Sequence, residues 1–286
     1  MQTLSKPDIS PGVRLRRDGR SIRLKWHRLR RTKGDVDFTM HRLREGLAAG
    51  ASMEIDLRRH AESGFVCLHD AVLESETNGS GPIFDATVAD LRSLRMRSPR
   101  GGLSDEPLLL LEDLVAAIAA GHHPDAIVQF DLKEWQADLD DATVAAFMRL
   151  VRPVAKSIVL SGDDWSAVKL LGAQIEGLRL GYDPSDLPEA QHLETRDDFA
   201  GFARFTLNTA PQAVIIYLEY HLVLRSLAAG FDIVAALQEA GREIDAWTFD
   251  LKSPRSTGEL AALIASGIDQ LSSNDCVAIE AAAAGL

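Results

Sequence analysis

Two carboxylates flank one apolar residue in Met53-Glu54-Ile55-Asp56-Leu57, and Phe130-Asp131-Leu132-Lys133 repeats the spacing with a carboxylate and an ammonium. Side chains alternate with period two along a β-strand, so each pair projects from one face. Three carboxylates gathered in a partly dry place repel one another and are costly to desolvate unless a cation offsets them. Glu54, Asp56 and Asp131 are therefore candidate ligands of a hard divalent ion, Mg²⁺ or Ca²⁺. The spacing alone is weak, because a chain with 42 acidic residues among 286 holds about six acid-x-acid triplets by chance. Its company raises it. His27 closes one apolar run and His69 closes another, Phe65-Val66-Cys67-Leu68-His69-Asp70. An unperturbed imidazole titrates at about 6.5, so near neutral pH one ring can accept a proton while another supplies one.

Groups so scattered need a scaffold that brings strand ends together. Short β-type runs fall at 22–27, 53–57, 65–69, 126–132, 157–161, 178–182, 213–218, 244–249 and 270–273. Helical patterns lie between them at 38–49, 111–120, 142–154, 165–171 and 258–266, several closed by glycines at 50, 121, 172 and 267. This alternation predicts an α/β protein, a (β/α)8 TIM barrel whose catalytic groups sit at the C-terminal strand ends. Nine candidates exceed eight by one. The run 213–218 is the one to set aside, because a helical pattern follows it without a clear turn. Residues 1–286 then form a single barrel with a small insertion after the third strand, over about 71–125, where Thr77-Asn78-Gly79-Ser80-Gly81-Pro82 is rich in turn formers.

Composition narrows the partners. A net charge of −11 repels nucleic-acid phosphates. No run reaches the roughly 20 apolar residues of a membrane span and the first 30 residues lack a signal core, so a cytoplasmic location is expected. Cys67 and Cys276 are too few for a disulfide framework. Residues 1–33 nevertheless hold 11 Lys and Arg against 2 Asp. They form either a solvated arm or a positive neighbourhood for an anionic substrate. Arg30 and Arg31 read as solvated, Trp26, Trp135 and Trp165 as core or rim, and the remaining six histidines as surface or capping residues.

Taken in order, these motifs resemble the glycerophosphodiester phosphodiesterase family. His27-Arg28-Leu29 stands where that family has His-Arg-Gly, Asp37-Phe38-Thr39 where it has Glu-Asn-Thr, and Gly50-Ala51-Ser52 with Glu54-Ile55-Asp56 where it has Gly-Ala-Asp and Glu-x-Asp. The separations of 27 residues from His27 to Glu54 and 15 from Glu54 to His69 are similar. So are the Thr77–Pro82 loop, Leu110-Leu111-Glu112-Asp113-Leu114, Ala246-Trp247-Thr248-Phe249-Asp250 and Gly267-Ile268-Asp269. The chain departs from the pattern at Leu29 for glycine, Phe38 for asparagine and Asp131 for glutamate, and the acidic Glu74-Ser75-Glu76 replaces a basic residue before the loop. The Asp-x-Lys form also resembles the related spider-toxin phospholipases D, which are secreted and disulfide-bonded.

The resemblance implies metal ligation by Glu54, Asp56 and Asp131 and acid/base work by His27 and His69, in an order the sequence leaves open. It further implies phosphate binding by Arg28 and Lys133 and a pocket wall at Trp247. Asp70 is placed to orient His69, to meet a substrate hydroxyl or to cap the next segment. The expected reaction is metal-dependent hydrolysis of a small-molecule glycerophosphodiester to glycerol 3-phosphate and an alcohol. The alternatives are transfer to an internal hydroxyl with a cyclic phosphate product, or a barrel that binds phosphoesters without turnover. Self-association stays open.

Overall fold

Strand formation here follows from burial on both faces. In Ser52–Arg59, Met53, Ile55 and Leu57 face one way and are fully buried, while Glu54 and Asp56 face the other and are also buried. Only a strand covered by helices outside and by barrel neighbours inside has that environment. The structure, a computed structural model, describes residues 11–17 and 19–286. Residues 1–10 and Asp18 of the basic amino-terminal segment lie outside the described residues.

The strands are β1 (Arg14–Arg17), β2 (Arg20–Trp26), β3 (Ser52–Arg59), β4 (Phe65–Cys67), β5 (Arg95–Arg97), β6 (Leu103–Pro107), β7 (Ile127–Leu132), β8 (Ile158–Gly162), β9 (Arg179–Tyr182), β10 (Ile215–Glu219), β11 (Glu243–Trp247) and β12 (Gln270–Ser273). The helices are α1 (Met40–Ala49), α2 (Leu73–Glu76), α3 (Val88–Ser93), α4 (Leu111–Ala119), α5 (Asp141–Val151), α6 (Trp165–Gly172), α7 (Arg196–Thr209), α8 (Tyr220–Ala228), α9 (Ile233–Glu239), α10 (Ser256–Ser266) and α11 (Cys276–Ala283). Eight strands, β2, β3 and β7–β12, pair in parallel and close on themselves, since β2 joins both β12 and β3. The predicted (β/α)8 barrel is therefore present.

Its membership differs from expectation at two runs. Ile215–Glu219 is a full barrel strand between β9 and β11. The run at 65–69 is the peripheral one: β4 folds back antiparallel on β3, pairing Leu57 with Cys67. The barrel's third strand is thus β7, and the additional structure follows the second. Residues 68–110 carry α2, α3 and the separate β5–β6 hairpin. The helix α4 packs on α1 and α5 as part of the outer ring.

The basic amino-terminal segment is not a free arm over its described part. Arg14–Arg17 and Arg20–Trp26 form a hairpin, with Arg14 bonded to Asp125 at 2.7 Å at the end of the barrel opposite the strand C-termini. Arg30 and Arg31 are ion-paired with Asp37 and Glu45 rather than solvated. His60 is buried against Gly64 and accepts from the Glu62 amide at 3.2 Å, so of its two readings the surface one is corrected and the capping one stands. Both cysteines are buried free thiols. Among the described residues no single helix is long and apolar enough to cross a membrane.

Candidate active site

The end of β2 turns sharply. His27–Leu29 is a 3₁₀ turn in which Arg28 and Leu29 hold φ of 53° and 59°. This conformation aims the Arg28 amide at Glu54, to whose Oε2 it donates at 2.6 Å. The Arg28 carbonyl accepts from the Phe38 amide at 3.0 Å, and Phe38 itself has φ of 53°. Phe38, one departure from the family pattern, thus bonds to the residue just before Leu29, another departure.

Strand register sets the carboxylates side by side. Asp56 on β3 pairs with Asp131 on β7, and one ligand oxygen from each of Glu54, Asp56 and Asp131 falls within 4.8 Å of the others. Two cations reach in. Lys133 Nζ lies 2.5 Å from Asp131 Oδ2 and 3.2 Å from Asp56 Oδ1, and Arg28 Nε lies 3.4 Å from Asp56 Oδ2. Burial pushes the Asp56 carboxyl up, but Lys133 and Arg28 outweigh it and hold the group down to about 2. Burial and the neighbouring Asp56 and Asp131 push Glu54 well above the usual carboxylate range. Two bases balance two of the three carboxylates, and the third, Glu54, is left to be offset by a proton or a cation. The buried Asp56 Oδ2 also lacks a hydrogen-bond partner. An oxygen-only donor set with an orphaned buried carboxylate oxygen fits a hard divalent cation.

His27 is held by partners that the sequence reading missed, His69 by Asp70, for which that reading offered this role. His27 Nδ1 lies 2.8 Å from Asn274 Oδ1, and Asn274 Nδ2 donates to Asp250 Oδ2 at 2.7 Å. A carboxylate only accepts, so the Asn274 amide is oriented with its oxygen toward His27 and the proton sits on Nδ1. The Nε2 lone pair is left facing the cavity, 4.0 Å from Glu54. Burial and the adjacent Arg28 lower the His27 pKa to about 4, so the ring is neutral at neutral pH. His69 follows β4, its Nδ1 2.8 Å from Asp70 Oδ1. Its loop is fixed by Glu76 Oε2, which accepts from the His69 and Asp70 amides at 2.8 and 2.9 Å. Arg58 ties the same loop to β7 through the carbonyls of His69 and Lys133.

All eight residues expected from the sequence line one cavity of about 440 Å³ at the C-terminal mouth, together with Lys25, Arg58, Gln129 and Tyr217. Asp163, Asp183 and Asp186 line its opposite wall, and burial with the charge of Asp131 raises Asp163 to about 6. Their places just beyond β8 and β9 were the available signal. The Trp247 indole nitrogen is buried without a partner. A cavity of about 450 Å³ at the other end, between β2 and α10, contains one carboxylate and no histidine.

Residues 30–276 match the model of the glycerophosphoryl diester phosphodiesterase family, most of the chain's length. The chain belongs to that family. Membership makes it a glycerophosphodiester phosphodiesterase, and solved members share its barrel. One from Parabacteroides distasonis is 19% identical, with 95% of this chain and 89% of that one covered and a TM-score of 0.68. One described as putative, from Silicibacter pomeroyi, is 18% identical over 92% and 93%, with a TM-score of 0.72. A phosphodiesterase from Oleispira antarctica, solved with sn-glycerol-3-phosphate as product, is 18% identical over 91% and 95%, with a TM-score of 0.66. A search of curated proteins finds no match by sequence.

Proposed function

We propose that this phosphodiesterase hydrolyses a small glycerophosphodiester to glycerol 3-phosphate and an alcohol, using a divalent cation and two histidines at the C-terminal mouth. The observation that carries the reading is the gathering of Glu54, Asp56 and Asp131 within 4.8 Å, beside both histidines in one cavity. These three carboxylates are the residues that would hold the ion. When bound, such an ion supplies Lewis-acid stabilisation of phosphoryl charge.

The chain's own groups supply the rest. Arg28 and Lys133 present fixed positive charge where negative charge grows on the phosphoryl oxygens. His27 is neutral, with its Nε2 lone pair exposed to the cavity, and takes the proton from the attacking water. His69 returns a proton to the leaving alkoxide, its ring oriented by Asp70 at 2.8 Å. Trp247 supplies an apolar wall that excludes water from one side.

A panel of glycerophosphodiesters incubated with Mg²⁺, with Ca²⁺ or with chelator tests this, with products followed by phosphorus NMR. Glycerol 3-phosphate is expected with metal, and turnover is expected to stop with chelator. A cyclic phosphate product, or turnover indifferent to chelator, would overturn the reading.

A further inference from the structure

Beneath the carboxylates lies a second buried charge pair. Lys25 is 2% exposed and Asp245 fully buried, their charged atoms 3.0 Å apart in the barrel interior. The Lys25 ammonium also donates to Gln129 Oε1 and sits 4.3 Å from the centre of the Tyr217 ring. Gln129 Nε2 donates to Ser161 Oγ at 2.8 Å, and Ser161 Oγ donates to Asp131 Oδ1 at 2.6 Å. The direction of this chain follows from its head. An ammonium can only donate, so Gln129 must turn its oxygen to Lys25 and its NH₂ to Ser161. The Ser161 hydroxyl, having accepted from Gln129, has its one proton left for Asp131.

We infer that Lys25 is a positioning residue: it polarises the Gln129–Ser161 relay and so fixes the orientation of Asp131 for cation binding. The shorter Asp131 needs this more than a glutamate would, since Lys133 already draws its other oxygen. With Lys25 removed, Gln129 is free to reverse and to take the Ser161 proton, leaving Asp131 Oδ1 without a donor. The inference rests on the reading that Glu54, Asp56 and Asp131 hold the ion. Partners of metal ligands typically contribute about 10- to 100-fold in affinity.

The test is calorimetric titration of Mg²⁺ and of Ca²⁺ into metal-free protein, with thermal unfolding of each variant recorded alongside. Ser161→Ala, and the charge-neutral pair Lys25→Met with Asp245→Asn, are each expected to weaken binding about tenfold or more. The triple variant should be no weaker than Ser161→Ala, because one chain is cut twice. Ser272→Ala removes a hydroxyl bonded to Asp245 at 2.9 Å but lying off the relay, and should bind as wild type does. Unchanged affinity in Ser161→Ala, or losses that multiply in the triple variant, would overturn the inference while Asp56→Asn still abolishes binding. If Asp56→Asn binds like wild type, the ligand set itself fails, and the inference with it.

Discussion

At the scale of single residues, the tautomer of His27 decides what the mouth can do. Its lowered pKa means this ring, the proposed base, is already deprotonated across the neutral range. The acid limb of kcat/KM is therefore expected near pH 4 rather than near the ordinary imidazole value of about 6.5, activity rising as pH passes upward through that limb. A pH–rate profile on a pH-insensitive substrate checks this; a limb at the ordinary value would contradict it. His27→Ala and His69→Ala should each lower kcat by about 10²- to 10⁴-fold in steady-state assays. The site groups were legible in the sequence because they are polar residues closing apolar runs. Asn274 and Asp250 were not, since each acts only through a partner that the fold brings near, His27 and Asn274 being 247 positions apart.

At the scale of elements, the turn after β2 sets two effects against each other. Leu29 occupies left-handed backbone where a glycine would be relaxed, a strain of about 1–2 kcal/mol. It is also fully buried, and deleting a packed leucine side chain costs about 2–5 kcal/mol. Packing wins, so Leu29→Gly should destabilise by about 1–3 kcal/mol in urea unfolding, despite supplying the residue that left-handed backbone favours. A stabilised variant would mean that backbone strain dominates. The same competition between local signal and tertiary context explains the misjudged strands. Glu219 both ends β10 and caps α8, accepting from the Leu222 amide, so no turn separates the two. The run 65–68 is wholly buried and reads like a barrel strand. The reversal at Ser63-Gly64, with Ser63 at φ 56°, makes it a hairpin instead.

At the scale of the whole molecule, charge is sorted along the barrel axis. Of the basic amino-terminal residues, Lys25 and Arg28 reach the mouth, while Arg14, Arg17 and Arg20 lie at the opposite end. The excess of basic residues in that segment was legible, but its division between the two ends required the strand register. The barrel closes where β12 meets β2, pairing Ser273 with Trp26. That seam is also where Asn274 meets His27. On the proposed assignment of His27 as base, the enzyme has no oriented base until its first and last barrel strands have found each other. In a refolding experiment, recovered turnover should follow the slowest phase, behind the return of helical circular dichroism, because so distant a pairing is entropically slow. On that assignment the chemistry doubles as a reporter of finished assembly.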